Sequence, residues 1–357
     1  MNSERRWFGP ALDSDQRDLQ DMITAFTESH SIVLDDGPDV VGGLIVELAA
    51  LGLWTLGTAE EHGGGGANRT TTAVVQERLG RSWPALGWAA TQAHVAVDVL
   101  AGDDRFADLV EQLHGGRAAI AVVDENSAHV RIENTAGTVT GAVDRIDAAG
   151  ERPHLLILGN GGLGLLVVPD AMTFTPLERA GLGGASSRSL AIDGTVDTVH
   201  VIRDVDVSSA RIRLWSGAAI VAAGIAAAAT ESAVEYAAGR HQFGAALTVI
   251  PAVRQILFAQ ASRSFVGAAA ALGAQTGLQV VAAVDEACTG AIEVAASALQ
   301  SHGGYGYLAE YGAERRFRDA LSLRAAADPG GAARISAREL VGVDTPASVL
   351  DPAELRL

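Results

Sequence analysis

The sequence predicts a mainly α-helical protein with a small antiparallel β domain in its middle. Apolar residues recur at helical spacing in the first part, and short β-favouring runs separated by Gly, Asn, Asp and Pro follow. Long Ala-rich segments, which favour helix, make up the last part. We therefore divide the 357 residues into an α-helical domain over 1–116, a β domain over 117–206 and an α-helical domain over 207–357.

Composition argues against several classes of partner. The formal net charge is −17 and all 26 basic side chains are arginine, so a nucleic-acid or anionic-membrane partner is not expected. The longest apolar stretch, Gly217–Ala229, is too short to span a bilayer. A polar N-terminus and a single cysteine predict a cytoplasmic protein, with Cys288 as a buried thiol. No pattern of metal ligands is present.

The first domain reads as a series of helices. Apolar residues at helical spacing predict helices over Asp15–Phe26 and Val40–Leu53. An acidic, glycine-rich stretch, Glu60–Gly66, must be a connector because four glycines cannot stay helical. Helix resumes over Thr71–Arg81.

Near Arg117 the spacing of apolar residues changes from a helical pattern to short β-favouring runs. Gly159–Gly164 fits G-x-G-x-x-G, but β-favouring runs flank it on both sides, so we interpret it as a hairpin turn and not as a dinucleotide site. Six runs are predicted as strands: Ala118–Val123, Val130–Ile132, Thr138–Val143, Leu155–Leu158, Leu165–Val168 and Thr198–Ile202.

From about Ser208 the chain is helical again. Three long Ala-rich helices are expected, over Ile212–Gly239, Ala252–Leu272 and Leu278–Leu299. A break over Ala325–Gly331 precedes a last short helix, Ala332–Val341.

Three motifs in this last domain stand in a fixed order. They are R-x-x-F-G at Arg240–Gly244, Q-x-x-G-G-x-G at Gln300–Gly306, and R-D-A at Arg318–Ala320. In this order and at this spacing the chain resembles the acyl-CoA dehydrogenase family. The resemblance implies a helical N-terminal domain, a middle β domain and a C-terminal four-helix bundle. It also implies FAD bound at a subunit interface.

The resemblance assigns the ADP half of a neighbour's FAD to five residues. These are Arg240, Phe243, Gln300, Gly303 and Gly304. Their chemistry suits the task, because arginine offers a planar charged fork to a pyrophosphate and glycine lets backbone amides approach. The alternatives are an intersubunit ion pair for Arg240 and core packing for Phe243.

The segments that would hold a flavin ring depart from the family pattern. Where the family has T-E-P-x-x-G-S-D, this chain has Val123–Val130, which keeps only Glu125 and Ser127. The next ring-contacting segment corresponds to Val143–Ala149. There Asp144 and Asp147 would place negative charge beside a reduced, anionic flavin, which is unfavourable.

The position of the catalytic base also differs from the family pattern. The family glutamate that removes the α-proton of the thioester corresponds to Ala326 or Ala327. Asp328 or His241 could serve only as a displaced base, and a helix cap or an interfacial histidine are the simpler interpretations. The resemblance also places His94 on a helix facing the acyl pocket, where a hydrogen-bonded core histidine is an equal alternative.

The residues that would serve a neighbour's flavin are kept, and those that would serve the chain's own flavin are lost. We therefore expect a subunit of a heteromeric acyl-CoA dehydrogenase, like the degenerate subunit of actinobacterial α2β2 enzymes that desaturate CoA thioesters of sterol side chains. FAD would be shared with a homologous partner subunit that holds the acyl-CoA, and an electron-transferring flavoprotein is the expected acceptor. The alternatives are a self-sufficient homo-oligomer with a displaced base, and a binding protein without flavin.

Overall fold

The computed structural model describes residues 7–30, 32–34, 37–135, 138–195 and 197–350. Ten α-helices are found in these ranges: α1 Ser14–Ser29, α2 Pro38–Ala50, α3 Arg69–Ser82, α4 Pro84–Leu100, α5 Ala107–His114, α6 Val207–Gly239, α7 Pro251–Gly273, α8 Gly277–Ser301, α9 Ala313–Ala327 and α10 Pro329–Leu340. Ten strands accompany them: β1 Ile120–Asp124, β2 Val130–Thr135, β3 Thr138–Ile146, β4 His154–Leu158, β5 Gly164–Val167, β6 Met172–Pro176, β7 Arg188–Thr195, β8 Val199–Ile202, β9 His241–Gln242 and β10 Ala245–Ala246. The predicted fold, helical at both ends with a β domain between, is confirmed.

The N-terminal helices begin at residues suited to capping. Asp13 and Gln16 form a reciprocal capping box at the start of α1, and the Asn68 side chain accepts from Thr71 N at the start of α3. The Glu60–Gly66 connector is confirmed, because Gly63 and Gly66 have φ of 88° and 62°.

The β domain consists of two four-stranded sheets. One has the order β1-β4-β5-β8 and the other β2-β3-β7-β6, and all their pairs are antiparallel except β1 with β4. The Gly159–Gly164 turn joins the antiparallel strands β4 and β5, which confirms the hairpin. Buried Gln92 of α4 ties the helical domain to this one, since its amide accepts from Val122 N and donates to Asp147 O.

Helix α6 is the central helix of the core. Small residues let it approach α3 closely: a Cβ on Gly224 would lie 2.3 Å from Glu77 O, and one on Gly80 would lie 2.4 Å from Val221 O. Cys288 of α8 is buried against this core, as predicted, and burial raises the pKa of its thiol to about 12.

Two of these helices, α6 and α7, are long and apolar enough to cross a bilayer. Length and composition alone are weak evidence for a span, and the most apolar window of α6 is 89% buried. The corresponding window of α7 is only 33% buried, so an apolar face of this helix lies at the surface. Its exposed large side chains are Ile256, Phe258, Phe265 and Val266.

Two expectations about regular structure were incomplete. Strands β6 and β7 were not predicted, because their sequences carry Thr, Ser, Arg and Asp between the apolar residues. The charged stretch before Ala325 is helix α9, which continues to Ala327 and buries Ala320 and Leu323.

Candidate functional site

The site in which a flavin ring would lie is a cleft between the β domain and the helices α6, α9 and α10. Its cavity encloses only about 50 Å³. Trp88 and Trp215 line it from the helical side, and Ser127, Val143 and Arg145 line it from the β domain. A site for a small organic molecule is usually about 300–1,000 Å³. The side chains present do not leave room for a flavin ring.

Asp328 is held as a structural residue at this cleft. It lies between α9 and α10 with φ of 40°, and its Oδ1 accepts a hydrogen bond of 3.0 Å from Gly331 N at the start of α10. Ser127 Oγ donates to Asp328 Oδ2 at 2.5 Å. Both carboxylate oxygens therefore have partners, which agrees with the helix-cap interpretation.

The position of the family base carries no carboxylate. Ala326 and Ala327 both line the cavity, immediately before Asp328. A methyl group cannot accept a proton, so a base in this cleft would have to be another lining residue. Asp328 is the nearest in sequence to the base position; Asp124 and His129 also line the cavity, and Asp124 is paired with Arg211. His241, the other displaced candidate, is exposed in β9 and does not line the cavity.

A polar network lies beside the cleft, around Asp124, which lines it. Arg211 of α6 donates to both oxygens of Asp124, at 2.6 and 3.2 Å, and to Asn160 Oδ1 at 3.0 Å. Glu125, kept from the family motif, accepts from Asn160 N, from Ser348 Oγ and from Val349 N. Burial raises the pKa of the Glu125 carboxyl. The loop after β1 is thus bound to α6 and to the C-terminal segment.

The expectation that Asp144 and Asp147 bring charge to the ring site is wrong. Asp144 is exposed and pairs with Arg131, which lowers the pKa of this carboxyl to about 2. Asp147 is buried, but it accepts from Arg145 Nε at 2.6 Å and from Ser187. Neither aspartate lines the cavity: Val143 and Arg145 line it, so Asp144 between them lies on the other face of β3, and Asp147 follows the end of the strand.

The R-x-x-F-G motif forms a hairpin after α6. Strands β9 and β10 pair through Gln242 and Ala245, so Phe243 and Gly244 make up a two-residue turn. Both have positive φ, 53° and 81°, which suits a type I′ turn but strains a bulky residue such as phenylalanine. The Phe243 side chain is 97% exposed. Strain and full exposure together favour a role in contacting something outside this chain.

The Q-x-x-G-G motif lies beside this hairpin. Arg240 Cζ lies 5.7 Å from the centre of the Tyr305 ring, so a cation–π contact joins the two motifs. Gly303 has φ of 56°, and no atom lies within 4 Å of a Cβ built on Gly303 or Gly304. Gln300 is exposed. Arg240 and the glycine loop are therefore neighbours on one open surface, and we call Arg240, Phe243, Gln300, Gly303 and Gly304 the clamp surface.

The R-D-A motif has a structural role. Asp319 Oδ1 accepts from Leu182 N at 2.7 Å, and Ser322 Oγ accepts from Gly181 N at 3.1 Å. Burial raises the pKa of the Asp319 carboxyl. These bonds fix α9 to a loop of the β domain and so position the cleft.

His94 is a core histidine. Its Nδ1 donates to Ala90 O at 2.7 Å and its Nε2 accepts from Gly57 N at 3.0 Å, which requires the neutral ring. Burial lowers the pKa of His94 from 6.5 to about 4. It does not line the cleft.

Sequence reasoning did not find Trp215, which lines the cleft, or Arg211, which pairs with the lining residue Asp124. Trp215 and Arg211 lie in a long apolar helix, and only their spacing of one helical turn could have shown that they share a face. In the described part of the chain no group of three or more His, Cys, Asp or Glu is arranged to hold a metal ion.

Comparison with known proteins matches both helical domains. Residues 13–102 match the acyl-CoA dehydrogenase N-terminal domain, and residues 213–335 match the acyl-CoA dehydrogenase C-terminal domain. An acyl-CoA dehydrogenase of Bacillus subtilis (strain 168) is 26% identical over 325 residues, covering 78% of this chain and 83% of that protein. The 3-sulfinopropanoyl-CoA desulfinase of Paraburkholderia xenovorans (strain LB400) is 35% identical over 133 residues, covering 35% of this chain and 34% of that protein.

Solved structures share the whole fold. Glutaryl-CoA dehydrogenase from Mycobacterium smegmatis superposes with a TM-score of 0.74 at 17% identity, covering 94% of this chain and 96% of that one. Butyryl-CoA dehydrogenase from Megasphaera elsdenii superposes with a TM-score of 0.73 at 19% identity, covering 93% and 99%. With both domain matches, which together span more than half of the sequence, the chain belongs to the acyl-CoA dehydrogenase family, whose members bind FAD.

Proposed function

We propose that this chain is a subunit of a heteromeric FAD-dependent acyl-CoA dehydrogenase. It lacks a catalytic base of its own and completes the FAD site of a homologous partner subunit. The observation that carries this proposal is a contrast between two regions of the same chain. The cleft for its own flavin ring is reduced to about 50 Å³ and has alanine at the base position, whereas the clamp surface is open to solvent.

The clamp surface offers the groups that a dinucleotide needs. The Arg240 guanidinium and the Gln300 amide can donate to a pyrophosphate, and the Gly303–Gly304 backbone is accessible because no side chain covers it. Phe243 presents an apolar face to the partner or to the nucleotide. When bound in the partner, FAD would accept the hydride that leaves the β-carbon of the CoA thioester. The partner would supply the base and the acyl pocket.

The outer face of α7 supports a partner subunit. Its exposed apolar side chains include Phe258 at 74% and Phe265 at 48% exposure. An apolar face of this kind is unfavourable in water and is typical of a subunit interface. The α2β2 assembly, a sterol side-chain thioester as substrate, an electron-transferring flavoprotein as acceptor and a cytoplasmic location are further parts of the proposal. The first three rest on the resemblance alone, and the location rests on the single cysteine.

A self-sufficient homo-oligomer is the second candidate, and one observation favours it. Asp328 lines the cleft and carries a carboxylate. This function would require the Ser127–Asp328 contact to open and the two tryptophans to move before a ring could enter. A flavin-free binding protein is the third candidate, and the open clamp surface argues against it.

The test is the flavin content of the chain expressed alone and together with a homologous subunit from the same genome. We expect no flavin in the lone chain and one FAD per two chains in the complex. Changing Arg240 to Ala should lower the FAD content of the complex, while Arg254→Ala on the neighbouring helix should not. One FAD per chain in the lone protein would overturn the proposal in favour of the second candidate. A flavin-free complex would favour the third.

A further inference from the structure

A second cavity lies at the other end of α6. It encloses about 480 Å³, within the usual range for small-molecule sites. Trp215 lines the cleft and Glu231 lines this cavity, so the two are about 24 Å apart along the helix. Helices α1 and α3 form one wall, and the end of α6 and the start of α9 form the other. We call it the arginine pocket, after Arg78, Arg81 and Arg316.

Two of the three arginines are neutralised within the chain. Arg81 contacts Glu77 at 2.7 Å and Glu231 at 2.6 Å, and Arg78 lies 3.5 Å from Glu77. This cluster joins α3 to α6 with two carboxylates for two guanidinium groups. Its presence is explained by the contact between the two domains.

The position of Arg316 is not explained by this contact between α3 and α6. It donates from Nη1 to Tyr311 O at 3.3 Å, and its buried Nε meets no acceptor among the described residues. Burial and the neighbouring Arg315 lower the pKa of Arg316, and the more distant charges of Asp319, Glu235 and Glu231 offset this only in part. A part-buried guanidinium whose buried Nε has no acceptor is costly unless an anion in the adjoining cavity pairs with it. Arg316 therefore points to an anionic ligand.

The remaining walls indicate the body of this ligand. Hydroxyl groups converge from both sides of the cavity, and Tyr236 and Tyr311 supply aromatic surfaces at 6.1 Å in an edge-to-face arrangement. The hydroxyls belong to Thr24, Thr27, Ser82 and Ser232. Hydroxyl groups suit a sugar, and phenol rings suit the face of a sugar or a base.

The rim limits the charge of the ligand. Glu235 and Glu310 are exposed where the cavity meets solvent. Their carboxylates would repel a molecule that carries several anionic groups along its length, such as a di- or triphosphate. A single anionic group that reaches Arg316 fits this distribution of charge.

We propose that the arginine pocket binds a small phosphate monoester with a sugar or nucleoside body, its phosphate paired with Arg316. This binding does not depend on flavin or on the partner subunit. Nucleoside monophosphates and sugar phosphates share the required chemistry, and AMP and ribose 5-phosphate represent the two sources.

Calorimetric titration of the full chain with AMP, ribose 5-phosphate and inorganic phosphate tests the proposal. We expect at least one monoester to bind one site per chain, more tightly than inorganic phosphate. Arg316→Met should weaken this binding about tenfold or more, because a charge-assisted contact is lost. Arg324→Met on the same helix is the matched control, since Arg324 pairs with Asp285 and does not line the pocket, and it should leave the affinity unchanged.

A rim variant keeps the test decisive if Arg316→Met folds poorly. Glu310→Gln removes an exposed carboxylate and should tighten monoester binding, more so at low salt. Absence of binding by both monoesters, or binding no tighter than that of inorganic phosphate, would overturn the proposal. So would loss of AMP binding in Arg240→Ala with no loss in Arg316→Met, because the nucleotide would then lie on the clamp surface.

Discussion

The Ser127 hydroxyl donates to the Asp328 carboxylate at 2.5 Å, joining residues that are 201 positions apart. This bond crosses the cleft in which a flavin ring would lie. It engages the nearest carboxylate to the base position and at the same time brings the β domain against the start of α10. The contact therefore helps to close the cleft and holds the carboxylate nearest to the alanine base position as a structural group.

The first prediction concerns Asp328 itself. Asp328→Ala removes the helix cap and the bond from Ser127, so we expect the free energy of unfolding to fall by about 1–2 kcal/mol. Dehydrogenase activity of the complex should be unchanged after correction for folded protein. Urea unfolding and steady-state assays measure the two effects. A loss of turnover in a fully folded complex would show that Asp328 acts as the base.

Restoring a carboxylate at the base position should not restore activity. Ala326→Glu places an acid in a cavity of about 50 Å³ beside Asp328, and we expect it to destabilise the chain by about 1–3 kcal/mol. The lone variant should bind no flavin and desaturate no acyl-CoA, as judged by absorbance and by dye reduction. Ala333→Glu, at an exposed position of α10 outside the cavity, is the control for stability. Activity in the Ala326→Glu chain alone would mean that the base was the sole missing element.

Replacing Phe243 should stabilise the lone chain and lower the FAD content of the complex. Phe243→Asn places a residue that tolerates positive φ in the type I′ turn, so we expect the lone chain to gain about 1 kcal/mol in free energy of unfolding. The complex should lose FAD, because the exposed ring is no longer there to contact partner or nucleotide. Thermal unfolding and flavin content report the two changes. An unchanged FAD content would remove Phe243 from the clamp surface.

His94 should make stability depend on pH. Burial lowers the pKa of His94 from 6.5 to about 4, so the folded chain binds fewer protons than the unfolded chain between these values. The stabilisation is complete above pH 6.5 and is lost as pH falls toward 4, a loss of about 3 kcal/mol. Urea unfolding across this range should show a shallower pH dependence in His94→Gln. The exposed His241→Gln should keep the wild-type dependence.

Close packing of α3 against α6 predicts opposite effects for two glycines. Gly224→Ala brings a methyl within 2.3 Å of Glu77 O and should destabilise the chain by about 1–3 kcal/mol. Gly43→Ala, at an exposed position of α2 with no atom within 4 Å of the added methyl, should stabilise the chain by about 0.5–1 kcal/mol through higher helix propensity. Chemical denaturation measures both. Equal effects at the two positions would contradict the close approach of the helices.

The sequence predicted most of the helices and strands because their periodicity is local. Strand β7 was not predicted because Arg188, Asp193 and Gly194 interrupt its apolar residues. Helix α9 was not predicted because charged residues outnumber its buried apolar residues, Ala320 and Leu323. The motifs near Arg240 and Gln300 were visible for the same reason that the helices were: each lies within a few consecutive residues. The cleft was not predictable, since its closure joins Ser127 to Asp328 and Arg211 to Asp124 across the tertiary fold.

The exposed apolar face of α7 has a consequence for the amount of this protein in the cell. A lone chain with Phe258 and Phe265 in water offers a surface that chaperones hold and proteases degrade. If the proposed partner subunit covers this face, we expect the amount of this chain in the cell to follow that of the partner, with any excess removed. Synthesis of the two chains in equal numbers would then set how much functional assembly exists.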